Sequence, residues 1–276
     1  MIRKSDDRLA PISPERRHFM AITAAGAGKL STIAVSSALL ATAFKAKDAN
    51  AFGIFPRGAP GTNPNCFGRG TLIRTPRGEV PVEDLAIGAL VTTTNGALPI
   101  KWVGRQTMRR NASAAWHPRV VPIRVSRFAI DDQTPQRDLY LSQEHCLLID
   151  GVLIPVKHLV NGRSIAFDDS AEMSETIEYF CVEFDNHQVI FAEGTAAESF
   201  RYTGGEIAWD NLADYQNLYG SEHKVMPAVA PICRYSGARE EVRGLLRLAA
   251  SRFVDVRDPI QIAYERIAAR AMAIAA

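Results

Sequence analysis

The sequence predicts an all-β domain followed by a helical region, and three observations predict it. From Thr71 to Ala192, short runs of β-branched and aromatic residues alternate with turn residues. Two of the turns, Asn95-Gly96 and Asp150-Gly151, are two-residue hairpin signals, because such dipeptides tolerate the positive φ that tight hairpins demand. After Glu240 the apolar period lengthens to that of an α-helix.

The first residues differ in character from the rest. Arg16-Arg17 precede Phe19-Met20, and a mildly apolar stretch rich in Ala, Ser, Thr and Gly runs from Ala21 to Phe44. It ends at Ala49-Asn50-Ala51, a small-x-small site that a signal peptidase can cut. This order of charged, apolar and cleavage regions predicts a secretory signal over residues 1–51. Paired arginines ahead of weak hydrophobicity resemble a twin-arginine address. Export to the periplasm or the cell exterior is therefore expected. The alternatives are a helix of the folded protein or a membrane anchor. Lys29 interrupts the stretch and its small polar residues suit hydrocarbon poorly, so no stable membrane anchor is expected. Gly26-Ala27-Gly28-Lys29 is not a phosphate loop, since Thr23 stands where the first glycine belongs and Leu30 follows the lysine. Residues 52–65, rich in Gly, Pro and Asn, form a linker.

The strands follow. Thr71–Thr75 is a strand, Pro76-Arg77-Gly78 a turn, and Glu79–Val82 the return. Leu90–Thr94 pairs through Asn95-Gly96 with Pro99–Gly104. Val120–Val125, Asp138–Leu141, Cys146–Ile149 and Val152–Pro155 are further strands, the last two joined by Asp150-Gly151. Tyr179–Phe184 and Val189–Ala192 form one more pair through Asp185-Asn186-His187. Glu83-Asp84-Leu85 and Val156–Val160 are single helical turns. Strands this short and regularly spaced suggest a barrel or sandwich. Beyond residue 199 the pattern turns helical. Asp210-Asn211-Leu212 is a helix start, and Val242, Leu245, Leu246, Ala249 and Phe253 make one stripe. Asp258-Pro259 opens a second helix, whose stripe is Ile260, Tyr264, Ile267 and Ala271.

Composition sets limits. The chain has 276 residues, 47% hydrophobic and 22% charged, ordinary for a globular protein of one core domain with appendages. A net charge of +2 with no basic run among aromatics argues against a nucleic-acid partner. The four cysteines, Cys66, Cys146, Cys181 and Cys233, are too sparse for a disulfide scaffold. They allow three full pairings, and the sequence does not choose among them.

The segment that carries chemistry opens with Asn65-Cys66-Phe67-Gly68-Arg69-Gly70-Thr71. A second, Leu141-Ser142-Gln143-Glu144-His145, lies one β-rich stretch downstream. A thiol at the start of a strand, with a hydroxyl and an imidazole spaced S-x-x-H, can attack a peptide bond of its own chain. The thiolate is the nucleophile, and the histidine can hand a proton to the departing nitrogen. Each residue also has a plainer reading: Cys66 as half a disulfide, His145 as a satisfied barrel histidine. Cys146, next to His145 on a strand, should point to the opposite face as a small hydrophobe. Turn chemistry accounts for Asp185-Asn186, and His187 is at most an auxiliary. No cofactor is expected, and no C-x-x-C or H-x-x-x-H spacing suggests a metal site.

In these segments the chain resembles the Hint family, the self-processing domains of Hedgehog proteins and inteins, and most closely its short bacterial branch. The resemblance runs from Cys66 to Ser199. It rests on Cys66, Phe67, Gly70 and Thr71 with Thr75–Leu85 behind them, on Leu141–His145 where the family has T/S-x-x-H, and on Tyr179–Gly194. It implies a horseshoe-like β domain with pseudo-two-fold halves over residues 66–199, and the helical spacing beyond makes residues 200–276 a helical extension. It also implies an N-to-S acyl shift. Cys66 attacks the Asn65 carbonyl, His145 protonates the leaving nitrogen, and Ser142 holds the scissile peptide or the imidazole. The substrate is then the protein's own N-terminal segment. The acyl acceptor is not identified. Inteins end in His-Asn, but here Gly194–Phe200 holds no Asn, so splicing is not expected. The alternative is an exported, non-catalytic β module for binding or structure on the same fold.

Overall fold

The computed structural model describes residues 65–111, 114–204, 209–234 and 258–274. The expected export signal, all of the linker except Asn65, and the stripe from Val242 to Phe253 lie outside these residues.

The domain repeats one local design. In the first copy, Thr71 N–H donates to Gly68 O (3.3 Å) as the chain turns, and β2 (Leu72–Thr75) and β3 (Gly78–Pro81) form a hairpin. A 3₁₀ turn over Val82–Asp84 follows Pro81, and Val82 N–H donates back to Thr71 O. In the second copy His145 N–H donates to Ser142 O (3.0 Å), and β9 (Cys146–Ile149) and β10 (Val152–Pro155) form the hairpin. A 3₁₀ turn over Val156–Leu159 follows Pro155, and Val156 N–H donates back to His145 O. Proline pre-sets φ where each helical turn begins and gives up an N–H that such a start leaves unpaired anyway. The expected pseudo-two-fold halves are present, and each half carries Pro-Val-x-x-Leu, at Pro81–Leu85 and Pro155–Leu159.

Strands β1 (Phe67–Gly68), β8 (Leu139–Leu141) and β12 (Thr176–Glu183) meet in a six-stranded sheet. Its order is β11 (Ile165–Phe167), β7 (Ile123–Val125), β8, β1, β12, β6 (Trp102–Arg109). The second sheet runs β10, β9, β14 (Thr195–Glu198), β13 (Val189–Ala192), β2, β3. The hairpin of β4 (Leu90–Thr93) and β5 (Gly96–Pro99) joins it through β13. The main core draws on both sheets, with Phe67, Leu141, Leu147, Val182 and Ile190 at its centre. A second, aromatic cluster lies on the other face of the first sheet and holds Cys66, Trp102, Tyr179, Cys181, Phe200 and Trp209. Successive strand residues point to opposite faces, so Phe67 enters one cluster and Cys66 the other.

Three expectations change. Tyr179–Phe184 and Val189–Ala192 do not pair: β12 pairs with β1 and β6, β13 lies in the other sheet, and residues 185–188 are a crossover, not a hairpin turn. β12 is buried on both faces along most of its length, so its sequence lacks the alternation that marks a half-exposed hairpin strand. Leu90–Thr93 pairs with Gly96–Pro99, while Trp102–Arg109 is a separate long strand. The turn at Asn95 also sits one residue earlier than expected. The Thr93 hydroxyl accepts from Asn95 N–H (2.9 Å) and donates to Gly96 O (2.8 Å), closing Thr94-Asn95 into the loop and leaving Gly96 at φ 99° to open β5. Asp150 and Gly151 adopt φ 51° and 80°, the primed turn their dipeptide predicts.

Both described helices start where expected. Helix α1 (Leu212–Tyr219) follows Asn211, and Asp210 and Asn211 cover the free edge of β6. The two acidic and amide side chains accept from Thr107 N–H and Arg105 N–H, and Asn211 donates to Val103 O. An otherwise unpaired strand edge is thereby satisfied. Helix α2 (Pro259–Ile274) packs on the Val156–Leu159 turn and buries Ile260, Ala263, Ile267 and Ala271. Tyr264, expected in that stripe, is exposed, and Ala263 takes its place.

Gly104 in β6 lies opposite Cys181, and a Cβ there would meet the Trp102 ring at 2.6 Å and Cys181 Sγ at 2.7 Å. Trp102 is fully buried and has nowhere to swing. Gly104→Ala is expected to destabilise the domain by about 1–3 kcal/mol. Urea unfolding should show a lower midpoint at unchanged slope. An unchanged midpoint would mean that the aromatic cluster has slack.

Candidate functional site

The site assembles where the chain passes between sheets. β1 lies between β8 and β12, so the residue just before it has neighbours on both sides. Cys66 N–H donates to Ser142 Oγ (3.0 Å), and Ser142 N–H donates to Cys66 O (3.0 Å). Both contacts are buried. The S-x-x-H spacing then has a geometric reason. Ser142 follows β8 in the first sheet, the turn from Ser142 to His145 carries the chain across, and His145 precedes β9 in the second. Four residues thus place a hydroxyl on the Cys66 peptide nitrogen and an imidazole beside the Cys66 backbone, which favours the charged ring. Phe67 packs on that imidazole, with ring centroids 4.3 Å apart.

The protonation states follow from burial and contacts. His145 Nε2 lies 3.0 Å from Glu198 O. A carbonyl only accepts, so Nε2 carries the hydrogen. Burial lowers the pKa of His145, and the Glu198 charge and the Cys66 and Glu198 carbonyls only partly oppose this. The ring is therefore neutral, and its Nδ1 is a buried lone pair with no hydrogen-bond partner among the described residues. Cys66 is 1% exposed, and burial pushes its thiol well above the ordinary range. Cys66 therefore rests as a thiol, not as the thiolate that sequence reasoning expects.

Sequence reasoning missed a buried acid beneath this centre. Glu198 is fully buried at the end of β14. Its Oε1 accepts from Cys146 N–H (2.8 Å), and its Oε2 lies 3.2 Å from His187 Nε2, outside hydrogen-bond alignment. Burial pushes this carboxyl up. The contacts with His187, His145 and Cys146 outweigh that, and the net shift is down, so Glu198 is a carboxylate. His187 is buried too, and its Nδ1 accepts from Val229 N–H (3.1 Å). It belongs to the polar centre rather than to a surface turn. Cys146 points away from Cys66 and packs with Leu153 and Val189, as its alternation predicts; burial, then the Glu198 charge, raises its pKa.

Protonation therefore couples to stability in two windows. The folded pKa of His145 lies below the ordinary 6.5, so the unfolded chain binds a proton first and stability is lost as pH falls through that value. The folded pKa of Glu198 lies below 4.5, so its contribution is present above that value and is lost as pH falls further. The unfolding midpoint is expected to drop in these two steps as pH falls from neutral. His145→Gln should shrink the first step, to which the lowered pKa values of His158 and His223 also contribute, and a first step of unchanged size in that variant would contradict the buried neutral imidazole.

A family model described as the Hint domain matches residues 65–204. Two solved structures are similar to the chain: the crystal structure of the gp41-1 intein and that of a substituted form of the same intein. Each is 11% identical, with a TM-score of 0.32, and covers 48% of this chain. The match takes in 97% of the intein and 98% of its substituted form. No curated protein matches the chain.

Proposed function

The chain belongs to the Hint domain family, whose domains are self-processing, and on that premise we propose that it cleaves or transfers its own N-terminal segment by an N-to-S acyl shift at Asn65-Cys66. The observation that carries this reading is the buried hydrogen bond from the Cys66 peptide N–H to Ser142 Oγ, which holds the peptide bond that would break. His145 lies beside the Cys66 backbone, on the face opposite the thiol. In this route Sγ bonds to the Asn65 carbonyl carbon and gives up its proton, the C–N bond breaks, and the departing Cys66 nitrogen takes a proton from His145, which the thiol proton replaces through water. Atoms are conserved and an amide becomes a thioester. Water resolves the thioester to a free Asn65 carboxylate; a thiol or another acceptor carries the acyl group away. The missing terminal Asn makes the reaction one-sided, so the segment after residue 199 stays attached.

A precursor tagged ahead of Asn65 is expected to release the tag with hydroxylamine. Cys66→Ala should abolish release, because the acyl group has no other sulfur to accept it at that bond. His145→Ala should slow release about 10²- to 10⁴-fold, the usual share of one acid–base group. Cys146→Ala should change little. Retention of the tag by folded protein would favour the second reading, a binding or structural module on the same fold, for which the deep burial of the Cys66 thiol speaks. Intact mass before and after hydroxylamine checks each case.

The export signal belongs to the same reading. Its support is the order of Arg16-Arg17, the apolar stretch and Ala49-Asn50-Ala51. The mature protein is expected to begin near Phe52, outside the cytoplasm, and Lys at positions 16 and 17 should retain the precursor inside. N-terminal sequencing of each fraction tests this, and an intact Met1 outside the cell would overturn it.

A further inference from the structure

Cys66 has a second sulfur-bearing neighbour across the sheet. In the antiparallel pairing of β1 with β12, Phe67 faces Phe180 and Gly68 faces Tyr179. One step further the same register sets Cys66 against Cys181. The hydrogen bonding defines what kind of pair this is. Cys66 turns both its N–H and its C=O toward Ser142 on β8, so neither is directed at β12. Arg69 N–H donates to Glu178 O, which makes every second pair along this ladder, 69 with 178 and 67 with 180, the hydrogen-bonded kind. Position 66 with 181 is the other kind, in which Cα atoms approach to about 4.5 Å. That separation lies inside the roughly 4.4–6.8 Å span that a disulfide bridges. Directly opposed residues share one face of the sheet, and Cys66 and Cys181 do lie in the same aromatic cluster with Tyr179 and Trp102. Cys146 is in another cluster.

We propose that Cys66 and Cys181 form a reversible cross-strand disulfide that locks the nucleophile. This rests on the role assigned to Cys66 above. Both residues are free thiols in this structure, with Cys181 Sγ leaning over Gly104, where an added Cβ would come within 2.7 Å of it. A turn about its Cα–Cβ bond brings that sulfur to the Cys66 side. The oxidant is a low-molecular-weight disulfide. One cysteine thiolate attacks it and releases a thiol; the second cysteine attacks the mixed disulfide and releases the other thiol. Two cysteine thiols are oxidised, one disulfide is reduced to two thiols, and each cysteine proton ends on a released thiol. Burial of both sulfurs, at 1% and 0% exposure, makes exchange slow in the closed sheet. The bridge therefore closes during folding or when the short strand β1 opens. While it stands, Sγ of Cys66 has no free valence for the Asn65 carbonyl, and reduction restores it.

The test refolds the tagged full chain with oxidised or reduced glutathione and then removes the glutathione. Peptide mapping without reduction is expected to link Cys66 to Cys181 in the oxidised sample, with the mass of two hydrogens lost. No link, or a link from Cys66 to Cys146 or Cys233, overturns the pairing. Hydroxylamine cleaves thioesters and leaves disulfides alone, so it should release the tag from reduced protein and not from oxidised protein. A phosphine reductant, itself no acyl acceptor, should restore release. Cys181→Ala should release equally in both samples, and release from mapped, linked wild-type protein would overturn the lock. Tag retention in the reduced wild type would defeat the self-processing reading alone, because the peptide map still decides the disulfide.

Discussion

Cys66 directs both its backbone groups at Ser142, and much of the domain is arranged around that choice. A residue in a strand turns its N–H and C=O to one side, so pairing with β8 leaves Cys66 facing β12 through side chains only. Its own side chain then falls on the aromatic face while Phe67 fills the main core. The second hydrogen bond of a regular ladder pair would come from Cys66 N–H to a strand carbonyl; here a serine hydroxyl takes its place. A hydroxyl is donor as well as acceptor and can rotate, so the peptide nitrogen is held by a group able to adapt as that nitrogen becomes an amine. A regular carbonyl would tie the peptide bond of the proposed cleavage into the sheet.

The price of a charged group in the interior is visible at Glu198. Burial pushes the carboxyl up, yet the contact with His187, the charge of His145 and the Cys146 side chain win the balance. Its backbone carbonyl meanwhile fixes which nitrogen of His145 carries the proton. One residue thus anchors the imidazole through its main chain and favours a positive charge on it through its side chain. Glu198-Ser199 stands in the stretch where a splicing domain would present His-Asn. Ser199 is occupied with Gln188, donating its N–H to Gln188 O and accepting Gln188 N–H on Oγ. A hydroxyl so held offers no amide nitrogen to cyclise onto its own carbonyl, in keeping with the one-sided route proposed above.

What the residues revealed beforehand, and what they hid, has a physical basis. Turns were readable because Asp150-Gly151 and Asp258-Pro259 carry local constraints that no tertiary contact needs to supply. Cys66, Ser142 and His145 were readable because a short turn joins two of them and the third opens a strand. Which sheet β12 and β13 join was not, since a strand buried on both faces loses its alternation. Glu198 and His187 were hidden for a related reason: a charged residue between Ala197 and Ser199 looks like an exposed strand residue, and only a register between distant strands, β14 with β9, shows it to be buried. One signal was available. Pro81-Val82-x-x-Leu85 and Pro155-Val156-x-x-Leu159 are an internal repeat, and aligning the halves on it pairs the turn Gly68–Thr71 with the turn Ser142–His145. That correspondence alone identifies both as crossings between sheets.

The neutral states of the two reacting groups suit the interior in which they lie. A thiolate at Cys66 would put a bare negative charge in a low-dielectric core, which burial penalises. In the proposed route neither end state is charged at the reacting atoms: a thiol and an amide become a thioester and an amine. Charge develops only in passing, as imidazolium on His145 and oxyanion on Asn65. The imidazolium forms next to Glu198, whose charge favours it. In that route the Glu198 charge favours the passing imidazolium, which is where a fixed charge lowers a barrier.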